Sequence, residues 1–140
     1  LCLGTDGCGG NMFEEIKIGF FKHKDVTGPW WPSNFLEVLN RGNRLVESQF
    51  GGRIKLGKIE EGYTADIVLL DYNNPTPLVT ENAPGHFVWG MGSGCVNTTI
   101  VNGKVLFRDH KFVRSDASDI YKRAAEVAGE LWKEVDKIKA

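Results

Sequence analysis

Apolar and polar residues alternate in two different rhythms along this chain, helical in the first third and strand-like after it. Leu1 to Thr5 reads as an apolar strand that delivers Asp6 into the glycine-rich loop Gly7-Cys8-Gly9-Gly10. Asn11 is then placed to cap a helix with Glu14 and Glu15 in its first turn and with Met12, Ile16, Gly19 and Phe20 on one side. Two prolines and a glycine between Asp25 and Asn34 interrupt that helix with a loop carrying Trp30 and Trp31. Phe35, Leu36, Leu39, Asn43 and Val46 resume three- and four-residue spacing and predict a second helix, ended by Gly51-Gly52.

From about residue 52 the period shortens. Ile54, Leu56 and Ile59 nearly alternate with polar residues, and the apolar run Ala65 to Asp71 has the length of a strand buried on both faces. A polar, proline-containing loop from Asn73 to Pro84 leads to a predicted strand at His86-Phe87-Val88-Trp89. The clearest local signal is Asn102-Gly103 between Val96–Val101 and Lys104–Arg108. It predicts a type I′ hairpin, because both central residues must accept positive φ. Asp109-His110-Lys111 predicts a further turn into a short strand at Phe112-Val113. The last segment, from Ser115 or Asp116, carries Ile120, Ala124, Val127, Leu131, Val135 and Ile138 in a helical stripe of about six turns. A long surface helix packed on the sheet is expected.

Composition narrows the function classes. The 140 residues are 41% apolar and 25% charged, as in a globular protein with a real core. A formal charge of −1 without blocks of like charge gives no reason to expect nucleic acid or an anionic membrane as partner. Cys2, Cys8 and Cys95 are odd in number and irregularly spaced, so they read as free thiols in a cytoplasmic protein. Cys2 and Cys8 lack the paired spacing of a zinc ribbon. No apolar run is long enough to span a bilayer, so the chain is expected to be soluble.

The chemistry concentrates at Asp6. An acid at the carboxyl end of a buried strand is where α/β enzymes place reacting groups, and the same residue also reads as a plain turn or helix-cap aspartate. The following glycines do not form a phosphate cradle, since neither the P-loop nor the G-x-G-x-x-G pattern is met. His23, His86 and His110 fall at a helix end, a strand start and a turn, with no spacing that gathers two of them beside Asp6.

Leu3-Gly4-Thr5-Asp6-Gly7, then Gly57-Lys58-Ile59-Glu60-Glu61-Gly62-Tyr63-Thr64-Ala65-Asp66, then Val101-Asn102-Gly103-Lys104-Val105 occur in an order that resembles the C-terminal part of metal-dependent amidohydrolases. The chain looks like the cytosine-deaminase and triazine-hydrolase branch, often called chlorohydrolase. Gly85-His86 to Gly90-Met91 and Leu131-Trp132 resemble the aminohydrolase associated with selenium metabolism. The resemblance implies an α+β fragment. Residues 1–51 would be the last strand of a TIM-type barrel with two helices, and 52–140 half of a composite β-sandwich closed by the C-terminal helix.

It further implies that Asp6 is a metal ligand and proton shuttle for a divalent metal, zinc or iron. The remaining ligands, a His-x-His pair, two histidines and an acid, would precede Leu1 in about 300 further residues. Asp66 and Asp71 would be strand-end residues that make turns. One carboxylate cannot hold a catalytic metal, so the 140-residue chain alone is expected to bind none tightly and to be inactive. The parent would hydrolyse a C–N bond, or dechlorinate, in a small-molecule heterocycle or amidine. The other reading is a stand-alone β-rich association module. Open strand edges predict self-association or non-native pairing of Leu1 to Thr5, and Trp30 and Trp31 are candidates either for exposed anchors or for burial against the second helix.

Overall fold

In the computed structural model, residues 1–7 and 9–139 are described, so the expected free thiol of Cys8 lies outside the described residues. Helix α1 (Met12–Asp25) begins where Asn11 Oδ1 accepts the Phe13 N–H at 3.2 Å, and Glu14 and Glu15 occupy its positive end. Helix α2 (Pro32–Gln49) starts on a proline at the position where no N–H is needed. The Trp31 N–H donates to Asn34 Oδ1 at 2.9 Å, which satisfies another of the orphan donors at that end. Gly51 and Gly52 follow with φ of 61° and 71°, ending the helix as expected.

The core lies between these helices and a third segment from later in the chain. Ile16, Phe20, Phe35 and Val88 form the buried cluster, with Leu3, Trp30, Leu36, Leu39 and Phe87 packed around it. The rings meet edge to face: Phe20 and Phe35 at 5.7 Å, Phe20 and Trp89 at 5.5 Å. Gly19 on α1 faces the same cluster. A Cβ there would lie 3.4 Å from the Phe35 ring and 3.6 Å from Leu3.

The segment holding Val88 is helical, which corrects the strand expected at His86–Trp89. Helix α3 (Ala83–Gly85) runs into one wide turn over His86–Gly90, closed by the Met91 N–H on the His86 carbonyl at 2.9 Å. A four-residue apolar run carries no decisive period, and Pro84 favours the first turn of a helix. Burial of Val88 against α1 and α2 then selects the helical form.

One other expected strand does not form, and the near-alternating stretch after α2 makes none either. Leu1 to Thr5 has no ladder hydrogen bond among the described residues, because a strand exists only through a partner and none runs beside it; Leu3 packs on the core instead. The stretch from Ile54 to Ile59 is bends and turns, tied back to α2 by the Leu56 N–H on Glu47 Oε1 at 2.6 Å. Gly57, at φ of 81°, brings its backbone under the Asn43 side chain.

The sheet is a four-stranded antiparallel meander in the order β1 (Ile67–Leu70), β2 (Val96–Val101), β3 (Lys104–Arg108), β4 (Lys111–Phe112). The hairpin turn is as the sequence predicts, with Asn102 and Gly103 at φ of 48° and 73°. Asp109 and His110, at 49° and 59°, make the next one. Strand β1 is not buried on both faces. It lies at the sheet edge, where Val68 and Leu69 remain half exposed.

Helix α4 (Ala117–Lys139) forms over the expected span, but it does not cover the sheet. Ile120, Val127, Leu131 and Trp132 are each more than half exposed. The 3.6-residue period dictated the helix, while the surface it was to cover was never encoded in that period. The α+β class of the sequence reading holds.

Candidate functional site around Asp6

Asp6 occupies a turn after the extended Leu1 to Thr5 segment, at φ of 50° and exposed. Aspartate enters this left-handed conformation more readily than most residues with a Cβ. The residue is exposed, and no hydrogen bond to its carboxylate is formed among the described residues. Around it, Gly4, Gly7, Gly9 and Gly10 open onto free space. The loop is anchored at its far end, where Asn11 Nδ2 donates to Ser93 Oγ at 3.2 Å. That contact brings the turn before β2 beside the start of α1.

The histidines do not converge on Asp6. His23 lies in the last turn of α1 and its Nε2 accepts the Trp30 N–H at 2.9 Å, with the two rings 5.1 Å apart. Of the two tryptophans, Trp30 is packed on the core and Trp31 is 64% exposed. His86 bridges the hydroxyls of Tyr72 and Thr76 at 2.9 and 3.1 Å, one through each ring nitrogen. His110 Nε2 lies 3.5 Å from Asp71 Oδ2. Among the described residues no three His, Cys, Asp or Glu side chains gather as a ligand set.

Asp66 and Asp71 flank the two ends of β1, as expected, but neither lies in a turn. Asp66 Oδ1 accepts the Asn102 N–H at 2.7 Å, and Asp71 Oδ2 accepts from Asn97 Nδ2 at 2.7 Å. Cys2 is a free, exposed thiol and Cys95 a free, half-buried one. The sequence reading missed the Tyr72–His86–Thr76 bridge. Its only advance sign was a histidine within an apolar run, which names no partner.

Residues 1–106 match the amidohydrolase family. The chain belongs to that family. Among curated relatives, a 5'-deoxyadenosine deaminase of Methanocaldococcus jannaschii is 35% identical over 129 residues, covering 89% of this chain and 30% of the relative. Proteins of the same name from Methanococcus maripaludis and Methanopyrus kandleri are 35% and 32% identical over 133 residues, each covering 92% of this chain and 31% of the relative. The amidohydrolase chain thus spans about 30% of the length of the curated relatives it matches. No helix among its described residues is long and apolar enough to cross a membrane.

Proposed function

We propose that this chain is the C-terminal part of a cytoplasmic metal-dependent amidohydrolase that deaminates a small heterocycle, with Asp6 in the reacting centre. The observation that carries the reading is Asp6 itself: a carboxylate held in a turn, open to solvent and bound by no protein donor among the described residues. The names of the relatives favour an aminopurine nucleoside as substrate, while the Gly57 to Asp66 block and the closing helix resemble the chlorohydrolase branch. Residues 1–51 would then end the barrel and 52–140 form the sandwich domain.

Asp6 fits one hard oxygen ligand of a divalent zinc or iron, and three-ligand coordination requires residues beyond this chain. When bound, such a metal acidifies water and polarises the ring. The part of Asp6 is the proton. In hydrolytic deamination the water oxygen bonds to the ring carbon and the C–N bond breaks. Asp6 accepts the proton that water loses and returns it to the departing nitrogen, which leaves as ammonia. The chain by itself, with one ligand, would be inactive, and the open edge of β1 supports association of isolated copies through strand edges.

The test uses the whole gene product purified with its metal. Asp6→Asn should lower kcat for ammonia release by about 10²–10⁴-fold and reduce bound metal, with circular dichroism unchanged. Full activity and full metal content in that variant would overturn the proposal.

A further inference from the structure

The turn between β2 and β3 is made of a residue pair that readily rearranges on itself, and Asn102 is the only asparagine of the chain followed by glycine. A glycine in that place has no side chain to shield the asparagine, so its backbone nitrogen can reach the side-chain amide carbon. Asn102 and Gly103 are both exposed, at φ of 48° and 73°. Water, the co-reactant of the rearrangement, therefore has access to them.

What the fold adds is a clasp on both backbone amides. The Asn102 N–H donates to Asp66 Oδ1 at 2.7 Å, and the Gly103 N–H donates to the Ala65 carbonyl at 3.0 Å. The clasp is itself braced, since the Asp66 N–H donates to the Thr64 carbonyl and the Thr64 N–H to the Lys55 carbonyl, each at 2.8 Å. On the other side, Val101 and Lys104 are paired across the hairpin and fix the ends of the turn. The contact at Gly103 bears directly on the chemistry. Its nitrogen is the atom that would attack, and to do so it must give up its proton and turn toward Cγ of Asn102. A hydrogen bond to a carbonyl keeps the proton on that nitrogen and holds the peptide plane, so ring closure waits for a local opening of the hairpin.

We propose that Asn102 is a self-deamidation site that the Ala65–Asp66 corner holds closed. When the corner opens, the Gly103 nitrogen bonds to Asn102 Cγ and the Cγ–Nδ2 bond breaks. The side-chain nitrogen leaves as ammonia, carrying the proton that Gly103 gives up. Water then opens the imide ring at either carbonyl. Its hydroxyl goes to the carbon and its hydrogen returns to the Gly103 nitrogen, leaving aspartate or isoaspartate. Both products put a carboxylate on the residue whose N–H Asp66 accepts, and like charges so placed repel. Isoaspartate also lengthens the backbone inside a turn that tolerates only particular φ values. A modified turn therefore does not close again on β1.

The experiment incubates the whole gene product at neutral pH and follows the tryptic peptide Ile59–Lys104 by mass spectrometry, with isoaspartate located by fragmentation. Asn73, Asn74, Asn82 and Asn97 lie in the same peptide and serve as internal references. Conversion at Asn102 should be about tenfold or more slower in the folded protein than in guanidinium chloride. Asp66→Ala removes one bond of the clasp and should speed conversion in the folded protein by about threefold or more, with circular dichroism unchanged. Asp66→Asn keeps an oxygen acceptor and should stay near the wild-type rate. Folded and unfolded chains that convert alike overturn the proposal. So does an Asp66→Ala rate equal to that of the wild type, which would place the protection elsewhere, for instance in cover by another part of the protein. A slower rate in Asp66→Ala also overturns it, since the carboxylate would then be a base that helps the ring to close. Asp66→Asn converting as fast as Asp66→Ala overturns the hydrogen bond as the clasp.

Discussion

Asp66 Oδ1 accepts the backbone N–H of Asn102 at 2.7 Å, joining residues 36 apart in sequence. Asp66 ends the Gly57 to Asp66 block and Asn102 opens the hairpin turn, so two of the three motifs that carry the family resemblance form one structural unit. The Gly103 N–H on the Ala65 carbonyl, at 3.0 Å, completes it. The carboxylate holds the β2–β3 turn against the start of β1 and so positions the edge strand.

Removing that acceptor should loosen the hairpin without unfolding the helical core. For Asp66→Ala a loss of about 1 kcal/mol is expected in urea denaturation, the scale of an exposed hydrogen bond to a charged group. Amide exchange should rise at Asn102 and Gly103 and stay unchanged in α1. Equal exchange at both places would sink the idea.

Gly28 has no room for a side chain. A Cβ there would lie 2.2–2.4 Å from the His23 ring, which is held by the Trp30 N–H and by Trp30 itself. Gly28→Ala should therefore push His23 aside and cost about 1–3 kcal/mol, the range for forced overpacking. Tryptophan fluorescence should shift as Trp30 leaves its contact. An unchanged melting temperature and spectrum would contradict this.

Val88, on the wide turn that follows α3, is fully buried in the cluster with Ile16 and Phe20 of α1 and Phe35 of α2. Trimming it to alanine removes two methyl groups and leaves a cavity, with an expected loss of about 2–3 kcal/mol. The thermal midpoint of the chain is the readout. Val68→Ala, at a half-exposed position of β1, should cost markedly less, and comparable losses would argue that β1 is covered in solution.

Asp116 caps α4, its Oδ1 accepting from the Ser118 hydroxyl and N–H at 2.7 and 2.8 Å. These donors hold its carboxyl below the ordinary value of 3.8, the hydroxyl foremost. Because the folded pKa is the lower one, the stabilisation is complete above the unfolded value. It declines as pH falls from there through the folded pKa. Helicity at acid pH should thus drop less in Asp116→Asn than in the wild type, since asparagine caps without titrating. Identical acid profiles by circular dichroism would refute the assignment.

Much of the local structure was legible because its causes are local. Asn11 before an apolar stripe, Gly51-Gly52 after one and Asn102-Gly103 between two β-branched runs act within a few residues, through caps and permitted φ values. His86–Trp89 was not legible, since helix and strand both bury a four-residue apolar run, and the choice was made by α1 and α2. Asp6 was legible as a residue of interest through resemblance, and its sequence neighbours say nothing of the partners it would need.

What the sequence by itself determined was therefore the identity and limits of α1, α2, α4 and the hairpin, together with the family to which the chain belongs. Tertiary structure alone decided which apolar faces are covered. Val88 is buried because two helices close on it, whereas Val68 and the α4 stripe, equally apolar, stay open because no described element reaches them. Burial depends on surfaces brought together from distant parts of a chain, and a period of 3.6 or 2 specifies only that such a surface is needed.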